Sequence, residues 1–217
     1  MRKIFTLLLV SLFTLAASAQ NASFEEFLSQ FPKASLPYSL SQEALRSQLE
    51  QRAGNQPVER PKLLEWQFYE FLPALEEDAR TNRMPVYPEP VVALENETHY
   101  AVIYNTGRNF ARQYKTYNIA VFEKNGKLVA TRCIGGVNPV MLATAHINKD
   151  FIITIEEFSI NWAKNYSTHG IEGNSILGLT RINTRIVKAT ASVDQPSENW
   201  RNNPEQLETN TLPEAAK

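Results

Sequence analysis

The stretch Tyr117–Cys133, YNIAVFEKNGKLVATRC, decides the fold. Two short strand-like runs, Tyr117–Glu123 and Lys127–Cys133, flank Lys124-Asn125-Gly126, and an Asn-Gly step in that setting is the strongest short-range hairpin signal. The same grammar recurs around it. Upstream, Val91–Glu95 and Tyr100–Tyr104 read as strands. Downstream, Leu142–Ile147 and Phe151–Phe158 flank Asn148-Lys149-Asp150, and Ile176–Ile182 and Arg185–Ala191 flank Asn183-Thr184. Three successive hairpins predict an antiparallel meander of about eight strands, curled toward a barrel or a partial propeller.

The chain before Val91 is written differently. Eight of the twelve prolines lie there, whereas seven of the eight glycines fall between Gly107 and Gly178. Ser23-x-x-Glu26 has the pattern of a capping box and opens a helix carrying Phe24, Phe27, Leu28 and Phe31, stopped by Pro32. Ser39-x-x-Gln42 is a second start signal, ahead of Ala44, Leu45 and Leu49. After Pro57 and Pro61, the residues Leu64, Phe68, Phe71, Leu72 and Leu75 keep a helical stripe that Pro73 should divide, with Trp66 and Tyr69 off it. The expected class is α+β: short N-terminal helices packed on the sheet in one domain over 20–191, helical in 20–84 and β-rich in 91–191. Pro85, Pro88 and Pro90 mark the crossing, and 192–217 reads as a flexible tail whose Trp200 docks on its own domain.

Residues 1–19 have the three parts of a secretory signal: Arg2 and Lys3, the apolar run Ile4–Ala17, and Ala17-Ser18-Ala19 as a cleavage site. The mature chain should begin at Gln20. A lipoprotein needs cysteine at that position, so the expectation is a soluble exported product, periplasmic or extracellular, with no span once the signal is removed. The sequons at Asn21, Asn96 and Asn165 matter only in a host that glycosylates.

Composition excludes several classes. With 43% hydrophobic residues the 217-residue chain has enough for a packed core. A net charge of -1, made more acidic by loss of Arg2 and Lys3, argues against nucleic acid as a partner. One cysteine, Cys133, makes no internal disulfide and no thiolate-rich metal site. His99, His146 and His169 lack metal-ligand spacing, so no metal and no cofactor is expected. Glu156 and Glu157 are adjacent on a strand and face opposite ways, which disqualifies them as a catalytic pair.

The connection Ser159–Ser175, SINWAKNYSTHGIEGNS, is the most suggestive stretch. It offers Trp162 and Tyr166 as stacking platforms and Asn161, Asn165, His169 and Asn174 as hydrogen-bonding groups, on a loop carried by a sheet. Trp162, Tyr166 and His169 are therefore the expected binding residues, unless the two aromatics serve to cover the sheet edge.

The signal ending Ala17-Ser18-Ala19-Gln20, the motif Phe24-x-x-Phe27-Leu28-x-x-Phe31-Pro32 with Leu36-Pro37, and the C-terminal hairpins together resemble a diffuse group of secreted Bacteroidetes-like proteins of unknown function. The resemblance spans the mature chain. It implies N-terminal helices packed on an antiparallel sheet and brings no activity and no catalytic residue. The expected function is that of a non-enzymatic binding or envelope-associated module for a small molecule, a glycan or an envelope protein. The rival expectation is a secreted hydrolase that uses His169 with Asp150 or Glu172.

Overall fold

The computed structural model describes residues 23–54, 62–75, 87–108 and 111–191. The signal, Asn21, Pro57, Pro61, Pro85 and the tail with Trp200 lie outside the described residues. Among the described residues three α-helices, one 3-10 helix and eight strands follow in the order α1 (Phe24–Ser29), β1 (Tyr38–Leu40), α2 (Gln42–Ala53), the 3-10 helix (Trp66–Phe71), β2 (Tyr87–Glu95), β3 (His99–Arg108), β4 (Ala111–Glu123), β5 (Leu128–Val137), β6 (Met141–Ile147), β7 (Ile152–Trp162), α3 (Tyr166–His169) and β8 (Ile176–Lys188). This is the α+β meander that the hairpin signals predict.

The Asn125-Gly126 turn forms as expected. Gly126 sits at φ 88, and Lys127 N donates to Asn125 Oδ1 at 2.9 Å. A Cβ there would lie 2.8 Å from Phe24 Cγ, so the turn's glycine also lets α1 pack onto the hairpin. The capping box of α1 is complete: Glu26 N donates to Ser23 Oγ and Ser23 N donates to Glu26 Oε2. Those two bonds hold the Glu26 carboxyl below its ordinary value.

Three local expectations are corrected. Ser39 belongs to β1, and α2 is capped by Ser41, whose Oγ accepts from Ala44 N at 3.2 Å. The stripe from Leu64 to Leu75 folds as a 3-10 helix of six residues followed by a break at Leu72, where Pro73 keeps the preceding residue out of the helical region (φ -125, ψ 63). Its apolar positions Leu64, Phe68, Leu72 and Leu75 are nonetheless buried, while Trp66 is open to solvent. Finally, Asn183-Thr184 makes no turn. β8 runs through it, with Asn183 opposite Glu157 and Thr184 opposite Glu156 beside a register shift at Glu157/Phe158, because β7 pairs along its whole length and the dipeptide lacks a glycine.

The sheet is open, with β2 and β8 at the ends of the order β2-β3-β4-β5-β6-β7-β8, so neither the barrel nor the propeller is adopted. The break in its continuity lies at β5–β6, where only Gly136↔Ala143 and Val137↔Leu142 pair. A Cβ on Gly135 would meet Ala143 O at 2.5 Å, so glycine permits this close crossing. β1 takes the rest of the β6 edge, from Tyr38↔Ile147 to Leu40↔Ala145. The β2 edge is covered by backbone: Ala93 N donates to Pro32 O, Ala34 N to Ala93 O and Leu64 N to Pro88 O.

Two apolar clusters result. One joins Ile103, Ile119 and Val121 to Ala145, Ile147, Ile153 and Ile155, with Leu45 and Leu49 of α2. Strands from both halves of the meander share it, so the sheet folds over its own inner face. The other lies on the outer face of β3 and β4, where Val102, Tyr104, Ala120 and Phe122 meet Phe27, Phe31, Phe68 and Leu72. β3 and β4 are thus buried on both sides, and the N-terminal third is the cover. Among the described residues no helix is long and apolar enough to cross a membrane.

Candidate functional site

The loop after β7 is built by its asparagines. Asn174, which is buried, accepts from Lys164 N and Ser175 N through Oδ1 and donates from Nδ2 to Lys164 O and Gly170 O. Asn165 caps α3 by accepting from Ser167 N and Ser167 Oγ. Asn161 Nδ2 donates to Thr180 Oγ1, and Gly173 N donates to Ala53 O at the end of α2. These amides are committed to the loop's own architecture.

Of the three expected binding residues, Trp162 packs on the inner cluster, and its Nε1 donates to Pro139 O at 2.6 Å. Its ring serves as the cover that was the alternative reading of the aromatics. Tyr166 is half-buried on α3, and His169 is exposed with Nδ1 3.2 Å from Asn165 O. Among the described residues no hydrogen bond or ion pair joins His169 to Asp150 or Glu172. Asp150 sits in the β6–β7 turn and His169 beyond the far end of β7, with the eleven-residue strand between them. Glu156 and Glu157 pair with Arg181 (2.8 Å) and Arg185 (3.6 Å) of β8, which explains both carboxylates structurally. The Cys133 thiol lies 3.8 Å from Gly135 O.

A second group of polar residues is one the sequence reading passed over. Along β3 and β4 the inner face runs Ala101, Ile103 and Val121, Ile119, and then turns polar at Asn105 and Tyr117, which stand opposite each other. Glu89 of β2 stands opposite Asn105, and Lys115 lies one step further along the same face. Asn105 Nδ2 and Lys115 Nζ both donate to Glu89 Oε2, at 2.9 and 2.8 Å. The Tyr117 phenol oxygen accepts from Gln48 Nε2 at 2.9 Å and donates to Gln48 Oε1 at 3.2 Å, tying α2 to the group.

Burial grades across this group. Asn105 and Tyr117 are 3% exposed, whereas the Glu89 and Lys115 side chains keep 13% and 24% of their surface. Burial pushes the Tyr117 phenol up to about 12; the Gln48 bond opposes this, and the nearby Glu89 and Tyr38 add to it. Among the described residues the buried Asn105 Oδ1 atom has no hydrogen-bond partner. Thr131, Arg132 and Arg185 each have one such atom too, but those residues reach solvent. A buried carbonyl left unpaired by the protein costs about 1–3 kcal/mol, so its retention calls for an explanation. The signal that would have found this group is the inward parity of Asn105, Tyr117 and Lys115 with Ile103 and Ile119. No protein-family model matches the chain, and neither a curated protein nor a solved structure matches it.

Proposed function

We propose that the chain is an exported binding protein without catalytic activity, and that its ligand meets the polar end of the inner sheet face. The observation that carries the reading is Asn105: a buried amide that holds the Glu89 carboxylate with its nitrogen and leaves its own oxygen unpaired. Departures from polar satisfaction concentrate at sites kept for function rather than stability. The solvent-reaching members of the group, Glu89 and Lys115, are the parts a ligand touches. Asn105, Tyr117 and Gln48 position them.

Thermal unfolding with a panel of glycans, peptides, lipids and divalent metals tests this. A ligand that raises Tm saturably in the wild type, but not in Asn105→Ala, fits the proposal. A rise kept in Asn105→Ala and lost in Tyr166→Ala or His169→Ala would move the site to the 159–175 loop. Export is tested separately, by a secreted protein whose mass starts at Gln20.

The hydrolase reading gains one observation. Ser39 Oγ and His146 Nδ1, opposite each other on β1 and β6, lie 2.9 Å apart. They stand on an exposed strand face, where such cross-strand pairs also form for structural reasons. Esterase or peptidase activity lost in Ser39→Ala, with the fold retained, would establish this reading and displace the first.

A further inference from the structure

We infer that the ligand of this site is an uncharged, hydroxyl-bearing small molecule of the sugar or polyol class. The inference rests on the site proposed above and is drawn from what that group offers to solvent. Glu89 uses one carboxylate oxygen for both Asn105 and Lys115, and its Oε1 takes no hydrogen bond from any described residue. Among the described residues Lys115 Nζ makes one bond, to Glu89, and it has further donors on a side chain that is 24% exposed. An acceptor and a donor of opposite charge therefore stand side by side.

An ammonium ligand suits Glu89 but is repelled by Lys115. A carboxylate suits Lys115 but is repelled by Glu89 and finds no donor in the unpaired Asn105 oxygen. A hydroxyl both donates and accepts, so neighbouring hydroxyls satisfy Glu89 Oε1 and Lys115 Nζ together with no charge to oppose.

The test titrates N-acetyl-D-glucosamine and maltose as neutral probes, lysine amide as cation and succinate as anion, reading Tm and Kd. The expected result is saturable binding of a neutral probe to the wild type, weakened about tenfold or more in Asn105→Ala and in Lys115→Met. Glu89→Gln removes the negative charge and should admit succinate, a gain that general unfolding cannot mimic. Binding of lysine amide or succinate to the wild type, lost in Asn105→Ala, would keep the site and overturn the ligand class. A neutral probe bound equally by wild type, Asn105→Ala and Lys115→Met would overturn the site itself. No binding of any probe would overturn both.

Discussion

Two regions of this molecule gather polar side chains, and they treat them in opposite ways. In the loop from Ser159 to Ser175 the side chains of Asn165 and Asn174 bond the loop's own backbone, and that of Asn174 alone makes four hydrogen bonds. At the inner end of β2, β3 and β4, Asn105 makes one bond and keeps a buried oxygen idle. A polar group that is fully used describes how a segment is built. One that is left over beside a half-open ion pair is the observation on which the proposed site rests.

The comparison breaks most visibly if Asn174 is dispensable. Asn174→Ala removes four part-buried hydrogen bonds to the loop backbone and should cost about 3 kcal/mol, read as a lowered urea midpoint. Next comes Tyr117, whose phenol stays neutral in the fold to about 12 against about 10 in the unfolded chain. The unfolded chain loses this proton first. The contribution of roughly 2–3 kcal/mol is therefore complete below pH 10 and lost between pH 10 and 12. Tyr117→Phe should flatten that part of the stability profile.

Trp162→Phe keeps an aromatic ring and loses the bond to Pro139 O, for about 1 kcal/mol. Asn105→Ala should cost under about 1 kcal/mol, because losing the bond to Glu89 is offset by removing the orphaned oxygen. A loss of more than about 2 kcal/mol there would make Asn105 an ordinary core residue. His169→Ala, at an exposed position, should stay within about 0.5 kcal/mol in the same unfolding assay.

Much of the fold was legible because it rests on local chemistry. The Asn125-Gly126 turn, the Ser23–Glu26 box and the alternation of β3 and β4 each act within a few residues. The Asn183-Thr184 turn misled because strand pairing with β7 overrides a weak turn signal. The close crossing of β5 and β6, which leaves no room for a Cβ at Gly135, and the backbone that covers β2 are long-range features that no local pattern records.

The site was harder to see. Trp162 and the loop asparagines look available in one dimension, but their partners Pro139 and Lys164 come from the folded chain. Glu89, Asn105 and Lys115 lie 10 to 26 residues apart and meet only through strand register. Their signal was a charged or amide residue at inward parity, which reads as a strand end until the neighbouring strands are placed.

The most direct measurement follows the side-chain amide resonances of Asn105 and Asn174 by 15N NMR while N-acetyl-D-glucosamine is added. The account predicts that the Asn105 amide shifts along a saturating curve and that Asn174 stays still. A shift at Asn174 with Asn105 unmoved, or no shift at either, would contradict it.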